Sequence, residues 1–418
     1  GSVLAVLLSI DCGSSTSHKD GFEITWTGDD EYIQTGESKS VGNTGNDAAM
    51  NTLRVFTSPT KNCYNIPGEQ GTKILLRASF YYGNYDSKST PPTFDLLFDG
   101  NFWDTINTTP DTVIYREVTY IPKSKNISLC LGQKYTNQFP IISTIEVRSL
   151  GSNIYSLKDI SEYPLLLSQR TDYTWGSADK VVRSTNDEYD RIWTRFSWSA
   201  VREKGWEDLT SNTSTIDVSK ASDNPPELLL SYGVQTANTS TNLVLDVSTL
   251  SSTKVAVYIN MYFTEVWDPA YLNSSERRSF DIYLDNQIIA KDFSPVFAVA
   301  AEISKINVSA SSASNFYLAA TSNSTLPPLI MGAELFVVGT ALANGTNTQD
   351  VSGLASLQQG FSALLEWSGD PCLPAEYPWE WVKCTSNSTP RVTSLLLGSY
   401  KLSGKLPDFS SLDAIQSM

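Results

Sequence analysis

An internal repeat constrains this chain more than any other feature. Residues 72–82, TKILLRASFYY, have a partner in residues 253–263, TKVAVYINMYF. Both runs are apolar, β-branched and aromatic, and both have strand length. Residues 94–100, FDLLFDG, are answered by residues 280–286, FDIYLDN. Each of these reads as a strand running into a hairpin turn, because Asp-Gly and Asp-Asn tolerate positive φ. Pro140, Ile142, Glu146 and Val147 are answered at the same spacing by Pro328, Ile330, Glu334 and Leu335. The order is kept and the offset grows slowly, as loop insertions would make it grow. The chain therefore contains two homologous modules.

Within each module short strands are separated by turn clusters, and no strand is regularly followed by an amphipathic helix. The fold class is therefore mainly β, two tandem antiparallel β-sandwiches rather than a parallel α/β sheet. The first module is expected over residues 9–150, a linker over 151–162 and the second module over 163–340. Residues 341–366 are expected as linker and helix, with a helix over 352–367 from the spacing of Leu354, Leu357, Phe361, Leu364 and Leu365. The apolar run at residues 3–8 is expected to be the remnant of a signal peptide (residues 1–8), with a first strand over residues 8–11.

The formal net charge of −15 repels phosphate backbones and anionic lipid, which disfavours nucleic acid and membrane surfaces as partners. The same acidity would help select a basic peptide. Asn-X-Ser/Thr sequons occur at Asn107, Asn126, Asn212, Asn238, Asn273, Asn307, Asn323, Asn344 and Asn387. So many in one chain point to a glycoprotein of the secretory pathway, with each occupied Asn on the surface. Five cysteines agree with an oxidising compartment. They form no CxxC pair, and His18 is the single histidine, so no metal site and no cofactor are expected. No apolar run is long enough to cross a bilayer; an anchor, and with it any membrane attachment, is expected beyond Met418.

The last fifty residues carry a second pattern. Trp367-Ser368-Gly369-Asp370-Pro371-Cys372 is followed by Trp379-Glu380-Trp381-Val382-Lys383-Cys384. A bridge between these cysteines would stabilise the segment by roughly 3 kcal/mol in the chain-entropy account. Val392, Leu395, Leu397, Leu402 and Leu406 then show leucine-rich-repeat spacing, with Gly404 and Pro407 matching the plant-type ending. Because one repeat cannot bury its own apolar face, residues 367–418 read as the cap and first repeat of a longer solenoid.

With these residues in view, the chain resembles the ectodomains of plant malectin-like-domain leucine-rich-repeat receptor kinases and receptor-like proteins. The resemblance is carried by Ile10-Asp11-Cys12-Gly13, Leu53-Arg54-Val55-Phe56, Asn62-Cys63-Tyr64, residues 77–86, Tyr189-Asp190-Arg191-Ile192-Trp193 and Gly369-Asp370-Pro371-Cys372. It implies paired malectin-like jelly-roll sandwiches on the extracellular face of the plasma membrane. It also implies perception of a cell-wall oligosaccharide or a secreted peptide, with a possible co-receptor and with signal output in a C-terminal part beyond this chain. Animal malectin is similar in fold and grips a glucose disaccharide through loop aromatics and an Asp.

Candidate binding residues are assigned from side-chain chemistry. Tyr81, Tyr82, Asn84, Tyr85 and Asp86 stand where a strand leaves the sheet; aromatic faces stack on sugar C–H surfaces while amides and carboxylates bond hydroxyls. One of Tyr81 and Tyr82 is expected in the core, since neighbours alternate across a sheet. The second-module counterpart is Tyr262, Phe263, Glu265, Trp267 and Asp268. Trp26, Asp29, Asp30 and Tyr32 form another aromatic–acid cluster, with too few oxygens at set spacing for calcium. The run from Tyr189 to Trp193 reads as structural: Asp190 and Arg191 lock the start of the second module and Trp193 fills its core. Cys63 and Cys130 flank first-module strands and are the preferred pair, though Cys12 can pair with either. No catalytic residue is expected. A histidine triad lacks members, and among 45 acidic residues some pair always lies close, so a polysaccharide hydrolase is only a remote alternative.

Overall fold

Burial follows the strand sequences: the mostly apolar run Ile74–Phe80 is buried throughout, whereas strands with interleaved polar residues alternate. In the strand Phe280–Leu284, Phe280, Ile282 and Leu284 are buried while Asp281 and Tyr283 reach toward solvent. The computed structural model describes residues 6–42, 47–174, 182–271 and 275–418. It is 38% strand and 8% helix, a mainly β fold.

The chain divides into two units. One takes in residues 7–147 together with 341–418, the other residues 148–340. The first contains β1 (Val6–Asp11), β2 (His18–Lys19), β3 (Thr25–Gly28), β4 (Glu37–Ser40), β5 (Thr52–Val55), β6 (Lys61–Pro67) and β7 (Ile74–Phe80). It continues with β8 (Thr93–Phe98), β9 (Asn101–Asn107), β10 (Ile114–Tyr120), β11 (Asn126–Gly132), β12 (Ile141–Ile142) and β13 (Thr144–Ser149), whose last two residues, Arg148 and Ser149, already belong to the other unit. The other unit holds β14 (Leu165–Asp172), β15 (Thr194–Arg195), β16 (Trp206–Thr210), β17 (Tyr232–Thr236), β18 (Leu243–Val244) and β19 (Val255–Phe263). After these come β20 (Phe280–Leu284), β21 (Gln287–Phe293), β22 (Ala301–Ala310), β23 (Phe316–Ala320), β24 (Leu329–Ile330) and β25 (Gly332–Val338), with short helices α1 (Trp198–Glu203) and α2 (Glu227–Leu230) before β17.

Strand order repeats element by element. The run β1-β13-β7-β10 in the first unit matches β14-β25-β19-β22 in the second. Likewise β6-β11-β8-β9 matches β18-β23-β20-β21, and β4-β5-β12 matches β16-β17-β24. Even a parallel side-pairing recurs, β3 on β1 and β15 on β14. Both hairpins read from Asp-Gly and Asp-Asn are present: β8–β9 turns through Asp99 and Gly100, β20–β21 through Asp285 and Asn286, all at positive φ.

In the second unit the apolar residues of β19 and β25 meet those of β18, β20 and β23 in one core around Trp193, Phe263, Phe280 and Leu318. In the first unit, Phe80 of β7 packs edge-on against Phe94 of β8 at 5.5 Å between ring centres. Phe98 of β8 meets Tyr120 of β10 at 4.9 Å. The motif from Tyr189 to Trp193 is a buried ionic knot. Asp190 accepts from Arg148 at 2.9 Å and from Arg183 at 3.0 Å, and Asp187 accepts from Arg191 and from the Trp193 indole, each at 2.8 Å. Asp190 itself adopts a left-handed φ of 51°.

Three sequence expectations shift. Strand β1 begins at Val6, two residues before the expected start, while residues 1–5 of the expected signal remnant lie outside the described residues. The expected helix over 352–367 is instead α3 (Thr348–Gly360) with a single turn after it at Ser362–Leu364. It starts earlier because Asn347 caps it, accepting from the backbone N–H groups of Gln349 and Asp350. It stops at Gly360 because Phe361 is extended, at φ −133°, which leaves Leu365 more than half exposed. Finally, Tyr81 and Tyr82 are both buried, where alternation across a sheet assigned the core only one of them. Their strand has already ended at Phe80, so the alternation rule no longer applies.

The C-terminal segment closes on the first unit. Lys61 donates its ammonium to the carbonyls of Asp370 and Leu373, the Cys63 N–H donates to Ser368 Oγ at 3.0 Å and the Thr60 N–H to Glu380 at 2.8 Å. Cys63 and Cys130 are directly opposed on β6 and β11 and are disulfide-bonded. Gly369, at φ +72°, lies flat against that bridge. A second bridge joins Cys372 to Cys384, and Cys12 is a buried free thiol. In this segment α3, Trp379 and Trp381 share an apolar cluster with β26 (Val382–Cys384) and β27 (Val392–Leu395).

Candidate functional site

The loop that leaves β7 is built around the Tyr82 hydroxyl. It donates to Asp86 Oδ1 at 2.5 Å and accepts the Thr90 N–H at 3.2 Å. Asn84 Oδ1 accepts the Ser89 N–H at 2.8 Å, and Asp86 accepts the Lys88 N–H at 3.1 Å. Gly83, Asn84, Ser87 and Ser89 all take left-handed φ, so the chain coils tightly here. Gly83 leaves no room for a side chain, since a β-carbon there would run into Val41 and the Tyr81 ring. Tyr81 is anchored by its N–H to Ser143 Oγ at 2.9 Å.

This bracing fixes what the loop presents. Tyr85 stands edge-on to Tyr82 at 5.6 Å between ring centres and stays half-buried. Its hydroxyl is pushed up to about 12, first by burial, then by the charge of Asp86. At neutral pH it is therefore a neutral donor. Tyr85, Asn84 and Asp86 form a rim with one aromatic face, one amide and one carboxylate, already ordered before anything binds. Such a rim can stack on a ring and bond polar groups. It offers no nucleophile–base pair.

The second-module loop is arranged differently. Tyr262 and Phe263 are core; the Tyr262 hydroxyl donates to the buried Glu334 at 2.6 Å. Glu265 is tied to Arg278 at 2.8 Å, and Arg278 lies over the Trp267 ring at 5.3 Å. Trp267 is half-buried, and Asp268 caps its own turn by accepting the Ala270 N–H at 2.9 Å. The most exposed aromatic there is Tyr271, 82% exposed, which the sequence pattern did not single out. Its exposure comes from a turn at Pro269–Tyr271 that strand periodicity does not anticipate.

The remaining cluster is divided. Trp26 is buried and its indole N–H donates to Asp20 at 2.8 Å. Asp29 is fully buried, held by Arg54 at 2.7 Å and by the Tyr64 hydroxyl at 2.8 Å. Only Asp30 and Tyr32 reach the surface. Among the described residues no group of acids, histidines and cysteines is arranged to hold a metal ion, and no helix is long and apolar enough to cross a membrane. Of the sequon asparagines, eight are described and all eight are exposed; Asn273 lies outside the described residues.

Comparison with known proteins places these features in context. The sequence model of the malectin-like domain matches residues 10–338. Among curated relatives, a probable LRR receptor-like serine/threonine-protein kinase of Arabidopsis thaliana, At1g05700, is 36% identical over 98% of this chain and 48% of its own length. An uncharacterized Arabidopsis thaliana protein, At1g24485, is 37% identical over 82% of this chain and 66% of its own length. The chain spans about half the length of most curated relatives it matches. Among solved structures, the ANX2 ectodomain from Arabidopsis thaliana superposes with TM-score 0.63 at 16% identity, covering 80% of this chain and 97% of that one. The plant receptor-like kinase FER, in a complex of the peptide RALF23 with FER and LLG2, superposes with TM-score 0.64 at 16% identity, covering 80% of this chain and 95% of that one.

Proposed function

The chain belongs to the malectin-like family, and from that premise we propose that it is the ligand-sensing ectodomain of a plant cell-surface receptor, secreted to the outer face of the plasma membrane and free of catalysis of its own. The observation that carries this reading is the braced rim of Tyr85, Asn84 and Asp86, whose polar atoms are positioned by the loop itself. Such a site works by grip, through stacking and hydrogen bonds. A cell-wall oligosaccharide suits its chemistry. A basic secreted peptide suits the acidic charge of the whole chain, and the complex of FER with RALF23 and LLG2 is a precedent for a peptide and a co-receptor on a similar fold.

The C-terminal segment supports the rest of the reading. We take residues 9–150 and 163–340 as two jelly-roll modules and residues 367–418 as the cap and opening of a leucine-rich-repeat solenoid. The Cys372–Cys384 bridge and the buried Val392 and Leu395 are consistent with it. A kinase-less co-receptor scaffold is the second reading; the full-length reading frame separates it from a receptor kinase.

The test is calorimetric titration of the glycosylated protein with cello-, xylo- and galacturono-oligomers and with basic secreted peptides. Tyr85→Ala is expected to abolish binding of the true ligand while far-UV and near-UV spectra stay unchanged. Undiminished affinity in that variant removes the rim from consideration. Release of reducing sugar from any oligomer would defeat the non-catalytic reading.

A further inference from the structure

A groove of about 450 Å³ opens along one flank of the second unit. Its walls are β21 and β22, each the edge strand of its own sheet, so both present backbone without a neighbouring strand on that side. The groove carries apolar surface: Ile288 is 49% exposed and Leu157 is 52% exposed. Open edges beside bared aliphatic side chains invite association with another chain.

One wall also holds a sequon. Asn307, with Val308 and Ser309 after it, lines the groove directly and is exposed. Its position is set by a bulge. On β19, Val257 pairs with Val308 and Ile259 with Lys305, so Ile306 and Asn307 together oppose the single residue Tyr258. Bulges bend an edge and redirect side chains. Asn307 takes a left-handed φ of 58°, which asparagine accepts more readily than most residues.

The geometry points to the N-linked glycan of Asn307 as the occupant of this groove. The first sugars, bound through the Asn307 amide nitrogen, lie back along the flank. Their C–H faces cover Ile288 and Leu157, and their hydroxyls meet Gln287, Ser304 and Lys305. The glycan thereby shields the two open edges in place of a further strand. This inference rests on passage through the secretory pathway, which can be checked on its own.

Mass spectrometry of the protein isolated from its native tissue comes first. Bare asparagine at every sequon defeats the secretory reading, whereas a bare Asn307 among occupied sequons defeats this inference alone. Hydrogen exchange then compares Asn307→Gln with a control, Asn323→Gln. We expect amides of residues 287–293 and 301–310 to exchange several-fold faster in Asn307→Gln, accompanied by concentration-dependent association, with neither effect in the control. Ser309→Ala, which removes the sequon and keeps the asparagine, should reproduce both. Unchanged exchange in Asn307→Gln and Ser309→Ala overturns the proposal.

Discussion

The phenol of Tyr377 donates to the carboxylate of Asp95 across 2.6 Å, joining residues that stand 282 positions apart. Burial, and after it this bond, raises the Tyr377 hydroxyl well above the ordinary tyrosine value. Asp95 also receives Thr105 Oγ1 at 2.6 Å and Lys134 at 3.3 Å, so it keeps partners when the phenol is removed. Tyr377→Phe is therefore expected to cost only about 1 kcal/mol in urea unfolding. A loss several times larger would mean that the hydroxyl holds more of the C-terminal segment than its bond does.

Gly369 is expected to be far less tolerant. At φ +72° a side chain is already strained, and a β-carbon there would press into Cys63 Sγ and stand 3.1 Å from Cys130 Sγ. Gly369→Ala should destabilise the first unit by roughly 2 kcal/mol or more. An unchanged denaturation midpoint would contradict the packing described.

Buried and exposed charges should separate clearly. Glu334 is fully buried and receives Arg170 at 2.8 Å, Tyr155 at 2.5 Å and Tyr262 at 2.6 Å. Glu334→Gln removes the charge that balances the buried Arg170 guanidinium and should cost about 3 kcal/mol or more. Glu37→Gln, which breaks an exposed pair with Lys39, should leave the midpoint where it was. Equal losses in the two variants would refute this ranking.

Stability should fall as pH rises from the acidic to the mildly basic range. Burial pushes Asp11 up to about 7, opposed by its bond from Thr52 and assisted by Asp29. It pushes Asp99 up to about 6, against the bonds from Ser128 and Tyr120. Asp223 is likewise raised, by burial and then by Glu302 and Glu334. The folded chain thus holds these protons more tightly than the unfolded one. That contribution is complete below the ordinary carboxylate range and is lost as pH climbs through about 6 to 7. Urea midpoints should be higher at about pH 5 than at about pH 8, and Asp11→Asn should flatten the difference. A midpoint that rises with pH over this interval would show the sign to be wrong.

The rim loop should loosen when its central hydroxyl goes. Tyr82→Phe removes the acceptor of the Thr90 N–H and the donor to Asp86, at a cost of about 1 kcal/mol. Amide exchange at Ser89 and Thr90 should accelerate while that of β7 does not change. If ligand affinity survives a loosened loop, preorganisation is not what makes the rim bind.

The features legible in the sequence are those that short-range chemistry controls. The repeat matches β7 with β19 and β8 with β20 because hairpin turns and strand-length apolar runs are written locally. The ionic knot around Asp190 is foreseeable as structural because an Arg flanked by Asp and aromatic residues suits burial. The fates of Trp26 and Asp29 are not legible. Asp29 turns inward to meet Arg54 and Tyr64, 25 and 35 positions further along, and Trp26 turns inward to bond Asp20, a pairing that the cluster's own residue types do not announce. Glycine and proline near residue 370, set beside the cysteines, suggest a cap for the leucine-rich run. Nothing local reveals that Gly369 and Ser368 meet Cys63, some 305 residues earlier.

The return of residues 341–418 to the first unit has a consequence for how this protein is made. In chain order, residues 148–340 interrupt a body whose two pieces are synthesised before and after them. While the middle emerges from the ribosome, the face around Lys61, Leu97 and the Cys63–Cys130 bridge waits uncovered for Ser368, Gly369 and Tyr377. Folding of the earlier-made half is completed by the later-made residues, so a nascent chain arrested before them carries an unfinished first domain and a finished second one.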